Sequence, residues 1–158
     1  MSFSVFLSDA EMATCRMLGE MRSLVARGHG VKDRKMADLA GYEIDIDGMI
    51  SEYAFCKHFN IFPDLIPSPR SGSCDCIYKG KRIDIKSTRH KTGKLLATTK
   101  RNEDVDIYVL AIINGNEVIF PGYATAKQLI DPNNLSDLGY GSGYALQQHQ
   151  LSKWKEHD

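Results

Sequence analysis

Residues 74–87 read CDCIYKGKRIDIKS, and this stretch decides how the rest of the chain is understood. Lys79 and Gly80 make a two-residue turn signal between two runs of alternating character, the pattern of a β-hairpin. Such a turn fixes the register: Tyr78 pairs with Lys81, and every further pair has residue numbers that sum to 159. Asp75 then lies directly opposite Asp84. Lys86 shares the face of Asp84, because side chains alternate along a strand. That face carries Asp75, Ile77, Arg82, Asp84 and Lys86. The other carries Cys74, Cys76, Tyr78, Ile83 and Ile85, is apolar until Lys81 at the turn, and is expected to pack on a core.

Two carboxylates set opposite one another weaken a sheet. Lys86 and Arg82 could offset them as a plain charge ladder, but a divalent metal answers the same repulsion and also explains the geometry. A third carboxylate joins them from upstream. Asp47 is read as the cap of a helix over residues 48–59, on which Met49, Tyr53, Cys56 and Phe59 form one apolar stripe. Glu52 falls on that stripe, three residues after Met49 and four before Cys56. It could snorkel to water at the stripe edge; beside a carboxylate pair it reads as a further ligand or a holder of metal-bound water.

The remaining elements are read outward from the hairpin. Ser8 and Glu11 make a capping box that opens an amphipathic helix, with Leu18, Met21, Leu24 and Val25 on one face and Gly28 at its close. A short helix over 34–40, ended by Gly41, and a Pro/Ser/Arg loop over 63–72 flank the second helix. Strands are expected at 74–78, 82–87, 95–99, 106–113 and 117–120, and a short helix at 125–130. Residues 131–143, rich in Gly, Asn and Ser, read as loop, and the tail from Tyr144 is weakly amphipathic, with Trp154 as a packing anchor. The pattern is that of one α/β domain, or α+β, with a mixed sheet flanked by helices and an N-terminal helical extension over residues 1–46.

Composition bounds the classes of function. The chain has 158 residues, 42% hydrophobic and 25% charged, enough for one domain with a real core. It contains no apolar run long enough to span a membrane, and its first residues lack the basic region and cleavage site of a signal peptide. A cytoplasmic protein is expected, with Cys15, Cys56, Cys74 and Cys76 as free thiols. Their spacing does not supply paired zinc ligands. His29, His58, His90, His149 and His157 are scattered, which argues against a histidine-metal nuclease, and residues 139–143 lack the strand and lysine of a phosphate loop.

Formal net charge is zero, but its distribution is uneven. Residues 79–101 hold nine Lys or Arg against the single acid Asp84, and residues 33–52 hold six acids against Arg34 and Lys35. Charge alone reads as two solvated faces of opposite sign. Beside the hairpin it suits phosphodiester hydrolysis, in which magnesium takes one or two carboxylates and fills its shell with water and phosphate. Lys86 would orient or help deprotonate that water, or stabilise the developing charge.

Asp75, a short turn, and then Asp84, Ile85 and Lys86, preceded by a helix bearing Glu52, resemble the PD-(D/E)XK nuclease superfamily over residues 47–130. The resemblance implies a restriction-endonuclease-like core of helix, three strands, helix and strand. It implies a metal between Asp75 and Asp84 and Lys86 as catalytic lysine. It further implies a metal contact from the carbonyl of Ile85, Glu52 as the helix glutamate, and Ser87 against phosphate. Two departures stand out: Cys74, not proline, precedes Asp75, and only residues 100–105 remain for the helix after the third strand.

The expected function is therefore a metal-dependent deoxyribonuclease, an endonuclease using Mg2+ with Mn2+ as a substitute. Asp75, Asp84, Lys86 and Glu52 carry the chemistry, and Ser87, Arg89, Lys91, Lys94, Lys100 and Arg101 follow the DNA backbone, duplex or branched. Cutting both strands would take a homodimer, and a phage setting would place the protein in host cytoplasm. The rival reading is a non-catalytic DNA-binding or inhibitory protein that keeps the nuclease fold. A face of opposed charges serving protein association is a second rival.

Overall fold

The computed structural model describes residues 1–28, 35–67, 74–99, 104–139 and 141–156. Its elements run β1 (Phe3–Phe6), α1 (Asp9–Gly28), α2 (Lys35–His58), β2 (Cys76–Tyr78), β3 (Lys81–Thr88), β4 (Leu95–Thr98), β5 (Ile107–Asn114), β6 (Glu117–Thr125), α3 (Ala126–Leu129), β7 (Leu135–Asp137) and β8 (Ser142–Leu146). The architecture is mixed α+β. A five-stranded sheet has the order β1-β6-β5-β3-β2, and a three-stranded sheet the order β4-β8-β7. Only β3 and β5 pair in parallel; the other pairs are antiparallel.

β5 explains the layering. Its continuous apolar run is buried on both faces, as a central strand requires. Val109, Ala111 and Ile113 join the core under α1 and α2, with Ile83, Ile85, Met49 and Phe55. Tyr108 and Leu110 point the other way, into a second core with Leu95 and Ala97 of β4 and Leu146 of β8. Lys79 and Gly80 both take positive φ, 49° and 76°, as the two-residue turn demands. The hairpin register is the one expected: Cys76 faces Ile83, Ile77 faces Arg82 and Tyr78 faces Lys81.

Several expectations are corrected. The expected short helix ended by Gly41 and the helix capped by Asp47 are one continuous helix, α2. Ile46, Met49 and Ile50 carry the buried stripe straight through this region. That burial outweighs the roughly 1 kcal/mol that Gly48 costs a helix interior. The capping box of α1 forms, with Glu11 N–H donating to Ser8 Oγ at 3.1 Å and Ser8 N–H to Glu11 Oε1 at 2.9 Å. The buried face of α1, however, follows Cys15, Leu18, Gly19 and Ser23, while Met21 and Leu24 are exposed. Gly19 is the reason: a Cβ there would come within 2.6 Å of the Ile46 Cα, so α2 is drawn to the bare glycine and the contact line turns with it. Gly19→Ala is accordingly expected to cost about 2 kcal/mol by overpacking, despite the better helix propensity of alanine. A thermal melt should register this as a fall of roughly 4–8 °C.

The strand expected at 95–99 forms as β4 but leaves the main sheet and pairs with β8. Residues 131–143 are not all loop, since β7 and the start of β8 lie within them. β6 runs on past Phe120 to Thr125. Pro121 is tolerated because it falls beyond the β1 pairing and at a bulge opposite Ala111. β1 had only four residues of alternation to announce it. Residue 34 and residues 100–103 lie outside the described residues, and Asp104 and Val105 are not helical. Among the described residues no helix is long and apolar enough to cross a membrane.

Candidate metal centre

Asp75 sits in a bend just before β2 and is tied to β3 at both ends. Its N–H donates to the Ile83 carbonyl at 2.8 Å, and its Oδ2 accepts the Ile85 N–H at 2.7 Å. Asp84 lies between Ile83 and Ile85, whose side chains are buried beneath α2. This anchoring brings the Asp75 and Asp84 carboxyl groups into hydrogen-bond contact. Burial first, then the charges of Glu52 and Asp84, push the Asp75 pKa up to about 9, against the pull of the Ile85 N–H. At neutral pH Asp75 therefore holds a proton, shared with Asp84, where a cation would relieve the same repulsion.

Lys86 lies 2.8 Å from Asp84 Oδ2. Burial alone would lower its pKa, but the charge of Asp84, the hydrogen bond to it and the charge of Asp75 outweigh this and raise it. Lys86 is thus a fixed ammonium. Glu52 reaches the same centre from α2, close enough to act on Asp75. Its Oε2 also accepts from Arg22 Nη1 at 3.2 Å, and Arg22 Nη2 donates to the Asp64 carbonyl at 3.0 Å. Sequence reasoning missed Arg22. Its signal was a cation on the buried stripe of α1, three residues after Gly19. Tyr108, paired with Asp84 in the β3–β5 register and buried, was missed as well.

Four expected residues, Glu52, Asp75, Asp84 and Lys86, thus converge from three segments of chain. Among the described residues no group of three or more His, Cys, Asp or Glu side chains is arranged to hold a metal ion. The donor chemistry at Asp75 and Asp84 nevertheless fits a hard divalent ion such as magnesium, which needs only one or two protein carboxylates. Below the pair, the Cys76 thiol hydrogen-bonds Cys56, and that contact together with burial raises its pKa. All four cysteines are free, and Cys56 and Cys76 serve as packing.

A cavity of about 820 Å³ opens beside Lys86 at the C-terminal end of β3. Ser87, Thr88 and Lys94 form one side, Ile44 and Gly48 of α2 another, and Ser136 and Leu138 from the β7 region close it. Lys91 is exposed on the turn that leads to Lys94. That turn is fastened by Gln148, whose Nε2 donates to the carbonyls of Lys91 at 2.9 Å and Gly93 at 3.1 Å. Arg89 is engaged differently from its neighbours. It forks onto Asp47 at 2.7 and 2.8 Å and reaches Glu43 at 3.0 Å, joining the acidic segment of α2 to the basic stripe. Arg82 is likewise turned away from the carboxylate pair, onto Asp106 at 2.9 and 3.0 Å. Lys100 and Arg101 lie outside the described residues.

No curated protein and no solved structure matches the chain. A family model, described as a family of unknown function (DUF5843), matches residues 2–134, which include the whole carboxylate cluster. The chain belongs to the DUF5843 family.

Proposed function

We propose that this protein is a metal-dependent deoxyribonuclease whose centre is Asp75, Asp84, Lys86 and Glu52. The observation that carries the reading is the contact between Asp75 and Asp84, backed by Glu52, in a place where burial first and these neighbouring charges second push the Asp75 pKa up to about 9. Like charges crowded in this way weaken a fold. A divalent cation gives them a purpose that packing does not. The resemblance to PD-(D/E)XK nucleases adds support: α2, the β2–β3 hairpin and the parallel strand β5 follow the order expected of a restriction-endonuclease-like core. The exit of β4 to the second sheet, and the lack among the described residues of a helix between β4 and β5, are departures from that pattern.

Magnesium, when bound, would lower the pKa of a coordinated water and neutralise charge on the phosphoryl group, and manganese suits the same oxygen donors. The carboxylates of Asp75 and Asp84, with the carbonyl of Ile85, would hold it. Glu52, steadied by Arg22, would hold a water. Lys86, kept charged by Asp84, is suited to orienting the nucleophile and stabilising negative charge, and unsuited to removing a proton. Ser87 and Lys94 in the cavity wall, and Lys91 beside it, would follow the DNA backbone. Neutralising Lys91 and Lys94 together should make the salt dependence of DNA binding shallower by about one unit per lost phosphate contact. Anisotropy over a salt series, in calcium to block cleavage, measures this, and an unchanged slope would move the DNA elsewhere.

The function is tested by incubating the protein with supercoiled plasmid, linear duplex and branched DNA in magnesium, manganese or EDTA. Cleavage of at least one substrate with metal, and of none in EDTA, is expected. Intact DNA throughout, with equal binding in EDTA, would favour the non-catalytic DNA-binding reading.

A further inference from the structure

The cavity of about 820 Å³ at the C-terminal end of β3 is a cleft with two kinds of wall. One kind comes from the second sheet, which β4 joins on leaving the main sheet. Leu96 and Ala145 are cross-strand partners in the β4–β8 register and share the sheet's outer face, while Leu95, Ala97 and Leu146 enter the second core. Leu138 extends this apolar surface, filling the space that a side chain at Gly143 would need. Ile44 of α2 adds to it and is 69% exposed, although apolar. The other kind of wall is made of hydroxyls and cations, with Ser87, Thr88 and Thr92 beside Lys86 and Lys94. Asp137 is the one acid in the lining, and its Oδ1 accepts the Gly139 N–H at 2.8 Å.

Gly48 of α2 also lines the cleft. Nothing inside the protein asks for glycine there. The backbone is helical, and a Cβ at this position would meet nothing within 4 Å. Gly19 is different, since a Cβ there would collide with the Ile46 backbone. At Gly48 alanine would strengthen the helix without a steric penalty. Bare helix backbone in the wall of a cleft is explained by the close approach of a ligand.

We infer that the cleft takes an unpaired stretch of a DNA strand, which makes the substrate single-stranded or branched DNA and not continuous duplex. A nucleotide has a flat apolar face and an anionic edge, and the two kinds of wall are complementary to these. In a duplex both faces of a base are covered by its stacked neighbours, so only an unstacked base can lie against Leu96, Ala145 and Leu138. Its phosphate then meets Lys94 and the hydroxyls, and Gly48 lets the strand come against α2. The volume suits a ligand of about one or two nucleotides. Lys86 belongs both to this lining and to the carboxylate cluster, so a strand seated here runs on to the phosphate that would be cut. That the strand is DNA rests on the nuclease reading.

Fluorescence anisotropy of a labelled oligothymidine strand, measured in EDTA so that metal-dependent cleavage is absent, reads the cleft separately from the chemistry. The strand should bind about tenfold more tightly than a blunt duplex of equal length at the same ionic strength. Gly48→Ala should raise the melting temperature by a few degrees and yet weaken strand binding about tenfold. Gly41→Ala is the control: a Cβ there also meets nothing within 4 Å, but Gly41 does not line the cleft. It should raise the melting temperature and leave binding unchanged. Ile44→Ala, at an exposed position, should weaken strand binding and leave the melting temperature level. Duplex bound as tightly as the strand, or wild-type affinity in Gly48→Ala, would overturn the assignment. Strand binding with the expected dependence on Gly48, but without cleavage in magnesium, would support the cleft and count against the nuclease reading alone.

Discussion

Asp75→Asn is expected to abolish cleavage and, at the same time, to make the metal-free protein more stable in alkaline solution. The Asp75 pKa stands at about 9 in the folded protein against an ordinary 3.8, so between those values the folded state holds a proton that the unfolded chain has released. The stability this group contributes is complete below about pH 4 and is lost progressively as pH rises to about 9, by at most about 1.4 kcal/mol per pH unit. Glu11, held at about 2 by the Lys57 hydrogen bond, acts in the opposite sense and only at the acid end, so the two effects separate. An asparagine amide can donate to Asp84 as the protonated acid does, and its oxygen can still accept the Ile85 N–H. Thermal melts without metal should therefore fall from pH 5 to pH 9 for the wild type and stay nearly level for the variant, with the variant several degrees higher at pH 8.5. Magnesium at that pH should raise the wild-type melting temperature and leave the variant unmoved, since the ion takes the place of the Asp75 proton. Parallel pH curves for the two proteins would remove the coupled pair from the account.

Lys86→Ala should lower single-turnover cleavage by about 10²- to 10⁴-fold, the range for removing a charge-stabilising or water-orienting group. Magnesium affinity should hold or improve, because the substitution removes a cation 2.8 Å from Asp84 Oδ2. Calorimetry with magnesium and quenched-flow cleavage measure the two quantities separately. Collapse of metal affinity in the variant would make Lys86 a positioning residue for Asp84 and would end its assignment to the chemical step.

Much of the site was legible because a tight turn transmits register. Once Lys79 and Gly80 were read as the turn, the placement of Asp75 near Asp84 and of Lys86 on the same face followed from alternation alone, and the structure has that register. Glu52 was legible from helical spacing against Met49 and Cys56. Less visible was what depends on contacts distant in sequence. Arg22 reaches Glu52 across 30 residues, and Arg89 reaches Asp47 across 42. The second sheet was hidden because β7 and β8 are short, rich in small residues and stabilised by pairing with β4, none of which appears in local periodicity. The continuity of α2 was missed for the opposite reason. Gly41, Asp47 and Gly48 are local signals for helix ends, and burial of Ile46, Met49 and Ile50 overrides them.

The most direct measurement compares wild type and Asp84→Asn, purified side by side, for single-turnover cleavage of one labelled DNA in magnesium. The substitution keeps shape and removes the charge that holds Lys86 and shares the Asp75 proton. The account predicts measurable cleavage by the wild type and a loss of at least about 10³-fold in the variant, in line with removal of a metal-holding carboxylate. Equal cleavage by the two preparations would contradict it.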